Sequence, residues 1–273
     1  MRFLPRPRAI SSVVLIALAA LTSACGMDGN YADRPDGYTE TTRKADEARL
    51  SGNYGYAMPL YSRALQMNPQ GTEAKLGLAQ VYLATGTPDE AAALYRDILA
   101  HDSSAEARRG LALSMINMGE PTLAEHQLDE ALKTDSRDYK TINIMGVSLD
   151  MQGRHPDAQA RYRQGLALRP EDPALRCNLG LSLAISGDAK GAIADLVPAA
   201  TSTGADARVR QNLALAYALE GDLTNALRYS RRDLDEVPAQ RQLSYFIYLR
   251  SLSPEERSAE IRRNPSFFPQ QGH

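Results

Sequence analysis

Histidines and cysteines, which often carry enzyme chemistry, are few in this chain, and their spacing does not form a site. Its four histidines are His101, His126, His155 and His273. They lack the spacing of metal ligands. The sequence contains no phosphate-binding loop, dinucleotide fingerprint, nucleophile elbow or calcium loop. It therefore favours a protein that is not an enzyme, and it predicts no metal and no cofactor.

The N-terminal segment predicts an export signal and a covalent modification. Arg2, Arg6 and Arg8 precede an apolar run over residues 13–21, and small residues lead to Cys25. This order is typical of a signal peptide, here residues 1–24, and the run is too short to span a bilayer. The sequence LTSAC, which ends at Cys25, resembles a bacterial lipobox. That resemblance implies a diacylated Cys25, and an ordinary cleaved signal is the alternative.

A lipid on Cys25 would anchor the chain to a membrane. The next residue is Gly26, and the absence of an aspartate there implies, by the lipobox resemblance, the periplasmic face of the outer membrane. Residues 25–37 are predicted to be the lipidated cysteine and a flexible tether of about 20 Å. Cys177 is then the lone thiol, which we expect to be a small buried hydrophobe.

The elements that position everything else are helix pairs that repeat along residues 38–240. The repeat is marked by glycines spaced 34, 33, 34, 34 and 34 residues apart: Gly52, Gly86, Gly119, Gly153, Gly187 and Gly221. A small residue follows each glycine by five positions, and a bulky residue follows five of the six by nine. A period in this range is typical of stacked helix pairs, in which glycine forms the turn between the two helices.

This pattern resembles the tetratricopeptide (TPR) family, although the chain has no tryptophan. The resemblance implies an all-α, right-handed TPR superhelix of about six helix-turn-helix repeats. The C-terminal aromatic cluster predicts capping helices over residues 241–262, the second starting at Ser253-Pro254, and a tail over residues 263–273.

Apolar residues on a second face of the later leading helices predict an interaction surface. The family's geometry implies that this face lines the concave groove, where it would bind an amphipathic helix or apolar peptide. The predicted groove comprises Leu113, Val147, Met151, Asn178, Leu181, Ile185, Arg208, Gln211, Asn212, Leu215 and Leu219. Asn178 and Asn212, one repeat apart, could bind a peptide backbone. The alternatives are that the C-terminal segment fills the strip and that the asparagines are structural.

A TPR lipoprotein of this layout resembles the tight-adherence (Flp) pilus assembly lipoproteins of the TadD type. That resemblance implies a scaffold that helps a pilus secretin localise or multimerise at the outer membrane, with the secretin or another assembly component in the groove. A type IV pilus or type II secretion pilotin, and a periplasmic adaptor for cell-wall enzymes, are the alternatives. The formal net charge of −2 argues against nucleic acid as a partner.

Overall fold

The computed structural model describes residues 35–202 and 205–263, and these residues form fourteen α-helices and no strand. The predicted signal peptide, Cys25, most of the predicted tether and residues 264–273 lie outside the described residues. The helices are α1 Pro35–Leu50, α2 Tyr54–Met67, α3 Thr72–Ala84, α4 Pro88–Leu99, α5 Ala105–Asn117, α6 Pro121–Thr134, α7 Tyr139–Met151, α8 His155–Leu168, α9 Pro173–Ile185, α10 Ala189–Thr201, α11 Ala207–Glu220, α12 Leu223–Ser230, α13 Glu236–Ser251 and α14 Pro254–Arg263.

Helices α1–α12 form six antiparallel pairs, so the predicted all-α repeat fold is confirmed. In each pair the odd-numbered helix leads and the even-numbered helix follows after a short turn. Each turn contains one of the six marker glycines, and all six have positive φ angles, from 75° at Gly52 to 107° at Gly187. A residue with a Cβ adopts that backbone region at a cost, and this explains why glycine recurs there.

Close approach of the paired helices depends on the small residue five positions after each turn glycine. The six alanines at this position are completely buried: Ala57, Ala91, Ala124, Ala158, Ala192 and Ala226. The bulky residue four positions later packs against a glycine of a leading helix, as Tyr61 does against Gly77 and Tyr162 against Gly146. Because a methyl group at either glycine would overlap the ring, the repeat needs a glycine there.

The leading helices are buried to different extents along the stack. Every residue from Thr141 to Asp150 in α7 and from Cys177 to Ile185 in α9 is buried, whereas α3 and α5 keep partly exposed positions among their buried ones. A helix that is apolar on all sides is typically enclosed by protein on all sides. The leading helices are therefore buried most completely in repeats 4 and 5.

The first C-terminal helix starts earlier than the sequence pattern predicts, and the second starts where it predicts. Helix α12 has only 8 residues, and α13 begins at Glu236, so Pro238 lies in the first turn of α13 and does not end the sixth repeat. Proline is tolerated in a first turn because the amide there has no intrahelical partner. Helix α14 begins with the capping box predicted at Ser253: the Glu256 amide donates to Ser253 Oγ at 3.2 Å, and the Ser253 amide donates to Glu256 Oε2 at 3.0 Å.

None of the helices described is both long and apolar enough to cross a bilayer.

Candidate functional site

The C-terminal part of the predicted groove is closed. Leu181, Ile185 and Leu215 are 2%, 0% and 1% exposed and belong to one buried cluster with Leu243, Phe246, Leu249 and Ile261 of the last two helices. The expectation of an apolar strip open to a partner is therefore wrong at these three positions. The alternative, in which the C-terminal segment joins this strip, describes the structure.

The other predicted groove positions vary in exposure. Val147 is buried, whereas Leu113, Met151 and Leu219 are partly exposed at the edge of the core. Gln211 is partly exposed, and Arg208 is exposed with both Nε and Nη2 donating to Asp206 Oδ2, at 3.0 and 2.8 Å. The predicted residues therefore do not form one continuous open surface.

The two asparagines are used inside the stack. Asn178 is buried and its Nδ2 donates to Asn143 Oδ1 at 2.9 Å, which links adjacent leading helices α7 and α9. Asn212 Nδ2 donates to the carbonyl oxygen of Cys177 at 3.2 Å and lies 3.1 Å from its Sγ. Since these amide groups already have buried partners, the structural interpretation of the asparagines fits the geometry, and a peptide ladder does not.

Cys177 is buried, as expected for a small hydrophobe. Burial raises the pKa of its thiol to about 12. The thiol therefore stays protonated at neutral pH, and a protonated thiol is a poor nucleophile.

A chain of buried polar groups joins repeats 4 and 5 to α14. His155 Nδ1 lies 2.8 Å from Asp150 Oδ1, and His155 Nε2 lies 2.6 Å from Ser258 Oγ. Asp150 also accepts hydrogen bonds from Ser182 Oγ at 2.7 Å and from Tyr162 Oη at 2.9 Å. Arg262 donates to Ser258 Oγ at the other end of this series of polar groups. Every donor and acceptor named here has a partner.

The donor and acceptor roles in these hydrogen bonds follow from the groups at the two ends of the series, the Asp150 carboxylate and the Arg262 guanidinium. A carboxylate can only accept and a guanidinium can only donate, and this fits a His155 ring that donates from Nδ1 to Asp150 and accepts at Nε2 from the Ser258 hydroxyl. Burial raises the pKa of Asp150, while the hydrogen bonds from His155, Ser182 and Tyr162 favour its ionised form. Burial and the neighbouring Asp150 likewise raise the pKa of Tyr162 well above its usual value.

Asp150, His155 and Ser258 have the order and spacing of a hydrolase triad, but their setting does not allow that chemistry. The Ser258 side chain lies within helix α14, is only 3% exposed and accepts a hydrogen bond from Arg262. A substrate carbonyl could reach it only if α14 moved, and Ser258 would then leave the histidine, since it belongs to α14. The arrangement therefore holds α14 in position.

Arg257 is a second buried polar contact of α14. Its guanidinium donates to the carbonyl oxygens of Leu249 at 3.0 Å, Leu252 at 3.1 Å and Ala184 at 3.5 Å. These carbonyls lie at the C-terminal ends of α13 and α9, where helices carry unsatisfied acceptors and partial negative charge. Burial lowers the pKa of Arg257 from its usual value, and the carbonyls compensate the desolvated charge.

Sequence reasoning missed this polar chain, although one signal was present. Asp150 is an acid in a leading helix whose neighbouring residues are apolar, and a buried carboxylate requires partners. The partners themselves could not be read from the sequence, because Ser258 lies more than 100 residues from His155 along the chain.

Two family models match the chain, both described as tetratricopeptide repeat, over residues 48–112 and 145–207. These two segments therefore match tetratricopeptide repeats. The glycines at Gly52, Gly86, Gly153 and Gly187 lie inside these matches, so the matched segments coincide with the helix pairs of the structure.

Curated relatives match parts of the repeat region. An uncharacterized protein of Sinorhizobium fredii is 33% identical over 108 residues, which are 40% of this chain and 59% of the relative. The type IV pilus assembly protein PilF of Pseudomonas aeruginosa is 33% identical over 115 residues, 41% of this chain and 46% of PilF. The chain thus spans about half the length of these relatives.

Solved structures support the fold. A tetratricopeptide repeat protein of Parabacteroides merdae superimposes with a TM-score of 0.68 at 16% identity, covering 80% of this chain and 87% of that protein. PilW, described as a type IV pilus biogenesis factor, gives a TM-score of 0.65 at 20% identity, covering 77% of this chain and 98% of PilW. At these identities the likeness shows a TPR superhelix.

Proposed function

We propose that the chain is a non-enzymatic protein-interaction scaffold in pilus assembly. The observation that carries the proposal is the 33% identity over 115 residues to a type IV pilus assembly protein, in a chain whose described residues are a stack of TPR helix pairs. TPR stacks present extended surfaces made of many repeats, and such surfaces suit a partner protein.

The partner surface in this proposal lies on repeats 1–3. Their leading helices keep partly exposed positions such as Gln80 and Leu113, in the same register as the buried Leu181. Large apolar side chains are also exposed near their turns, with Leu50 at 72%, Tyr56 at 57% and Leu123 at 53%. Exposed apolar side chains of this size are where a protein partner gains most by burying surface.

The proposal has two forms, which differ in the pilus or secretion system that the chain would serve. In the first, the chain assists localisation or multimerisation of the secretin of a tight-adherence (Flp) pilus, as the layout of signal, tether and repeats suggests. In the second, it acts as a pilotin of a type IV pilus or type II secretion system, which the PilF relative favours. Both place the chain on the periplasmic face of the outer membrane, anchored by a lipid on Cys25.

Deletion of the chain in its own host tests the proposal. We expect loss of surface pili and of the heat-resistant secretin multimer on immunoblots, and the secretin that is lost identifies the system. A matched Cys25→Ser allele should separate the anchor from the scaffold, because it removes the acylated thiol and leaves the repeats unchanged. Normal pili together with altered cell shape or lysis in the deletion strain would contradict the pilus proposal and favour an adaptor of cell-wall enzymes.

A further inference from the structure

The segment from Arg250 to Arg262 runs back along the turns of the last three repeats. A Cβ added at Gly221 would lie 2.7 Å from Arg250 Nη2, one at Gly187 3.6 Å from Pro254 Cγ, and one at Gly153 3.0 Å from Arg262 Nη1. The chain thus passes the turns of repeats 6, 5 and 4 in that order. At the turn glycines of repeats 1–3, no atom of the described residues beyond the chain neighbours lies within 4 Å of an added Cβ.

Helix α14 is not required to close the end of the stack. Helix α13 already packs on α11 and α12 and contributes Leu243, Phe246 and Leu249 to the buried cluster of the last repeats. Helix α14 contacts the C-terminal end of α13 through Arg257 and folds back onto α9 and onto the turn of repeat 4.

The contacts of α14 are few, specific and mostly polar. Ile261 is its one large apolar side chain and is completely buried. Arg257 reaches the carbonyl oxygen of Ala184, and Ser258 reaches His155 Nε2. Burial of one isoleucine side chain and a small number of hydrogen bonds together stabilise the docked helix only modestly. A helix of this length is not stable alone in water, so α14 is helical only while it is docked.

We propose that the turn surface of repeats 4 and 5, formed by His155 and the C-terminal end of α9, with Asp150 and Ser182 holding His155 from behind, is a docking site for a protein helix. Helix α14 is its intramolecular occupant, and a partner helix with the same order of groups displaces it. That order is an arginine, a hydroxyl-bearing residue directly after it and an aliphatic residue four positions after the arginine, as in Arg257, Ser258 and Ile261. The partner class rests on the proposed scaffold function.

The proposal depends on competition between α14 and a partner helix for the same docking site. Only Leu252 and Ser253 link α13 to α14, and a short tether of this kind gives an effective concentration of about 1 mM or more. A free helix therefore binds the intact chain weakly and binds well only when the internal helix is released. The polar groups of the site select the occupant, because an occupant without the hydroxyl leaves the buried His155 Nε2 without a hydrogen bond, and one without the arginine loses the donor to the Ala184 carbonyl oxygen.

A labelled synthetic peptide of residues 253–263 tests the proposal against the full chain by fluorescence anisotropy. The double variant Arg257→Gln with Ile261→Ser releases α14 and leaves the docking site intact. We expect the peptide to bind this variant at least tenfold more tightly than it binds the wild-type chain. The exposed Arg263→Gln variant is the matched control and should bind as the wild type does.

A peptide carrying the same two substitutions should not bind either chain. Adding His155→Ala to the double variant should abolish binding of the unaltered peptide. The proposal is overturned if the released variant, with helical content and melting of its repeats preserved, binds both peptides equally or binds neither up to millimolar concentration.

If the double variant does not fold, hydrogen exchange in the wild-type chain provides the test. We then expect the amides of α14 to exchange at least tenfold faster than those of α13, and equal protection would overturn the proposal. Neither experiment depends on pili, so this proposal and the pilus proposal can fail separately.

Discussion

Repeats 1–3 and repeats 4–6 are built from the same helix pair but differ in what covers them. In repeats 1–3 the turn glycines are open, and large apolar side chains such as Leu50 and Leu123 are exposed. In repeats 4–6 the turns are covered by the C-terminal segment, and α7 and α9 are buried on all sides. One repeat pattern therefore builds both an open surface and a closed core, depending on what packs against it.

The substitution with the largest expected effect on stability distinguishes a buried apolar strip from a groove that is open to solvent. Leu181→Asp places a carboxylate without a partner in the buried middle of α9. We expect it to lower the free energy of unfolding by about 4 kcal/mol or more, measured by chemical denaturation with circular dichroism. Leu113→Asp is the matched control, and because Leu113 is partly exposed in repeat 3 we expect a loss of only about 1 kcal/mol. Equal, small losses would mean that the strip at Leu181 is open after all.

Two tyrosines allow repeats 1–3 and repeats 4–6 to be compared through single hydrogen bonds. Tyr162 donates to the buried Asp150, whereas Tyr61 donates at 2.6 Å to the partly exposed Asp46. Tyr162→Phe removes a donor from a carboxylate that water cannot reach, so we expect a loss of about 2 kcal/mol in unfolding free energy. Tyr61→Phe should cost about 0.5–1 kcal/mol, because water can replace the lost bond at Asp46. The reverse order in thermal or chemical denaturation would contradict the assignment of Asp150 as the buried centre of the network.

The smallest expected effect concerns the turn glycines. Gly52→Ala and Gly221→Ala both force a Cβ into a positive-φ turn, so each should destabilise by about 1 kcal/mol. The methyl group at position 221 also meets the Arg250 guanidinium, whereas the one at position 52 meets nothing. Since Arg250 has a flexible side chain that can move, we expect only a slightly larger drop in melting temperature for Gly221→Ala. An effect of Gly52→Ala well above that of Gly221→Ala would show that the first turn is also covered.

The sequence was sufficient to predict the repeat architecture because each repeat has the same residue types at the same positions. Positive-φ glycines, buried alanines and tyrosines against helix glycines recur at a fixed period, and short-range geometry determines where the helices start and stop. The capping box at Ser253 was readable for the same reason, since its partners lie three residues apart.

The groove was assigned incorrectly because its cover comes from far along the chain. Apolar residues at Leu181 and Leu215 are compatible with either an exposed strip or a core, and hydrophobic periodicity does not distinguish these cases. The polar chain through His155 was missed because Asp150 and Ser182 lie on different helices and Ser258 lies on α14. Position along the chain does not indicate where a segment such as α14 docks.

The position of the partner surface is tested most directly by in-cell photocrosslinking at two positions of equal register. A photoreactive residue at position 80, partly exposed in repeat 2, is compared with one at position 181, buried in repeat 5. We predict that position 80 captures a pilus assembly component identifiable by mass spectrometry, while position 181 gives only crosslinks within the chain. Capture of such a component from position 181, with none from position 80, would contradict this division of the molecule and return the binding surface to repeats 4–6.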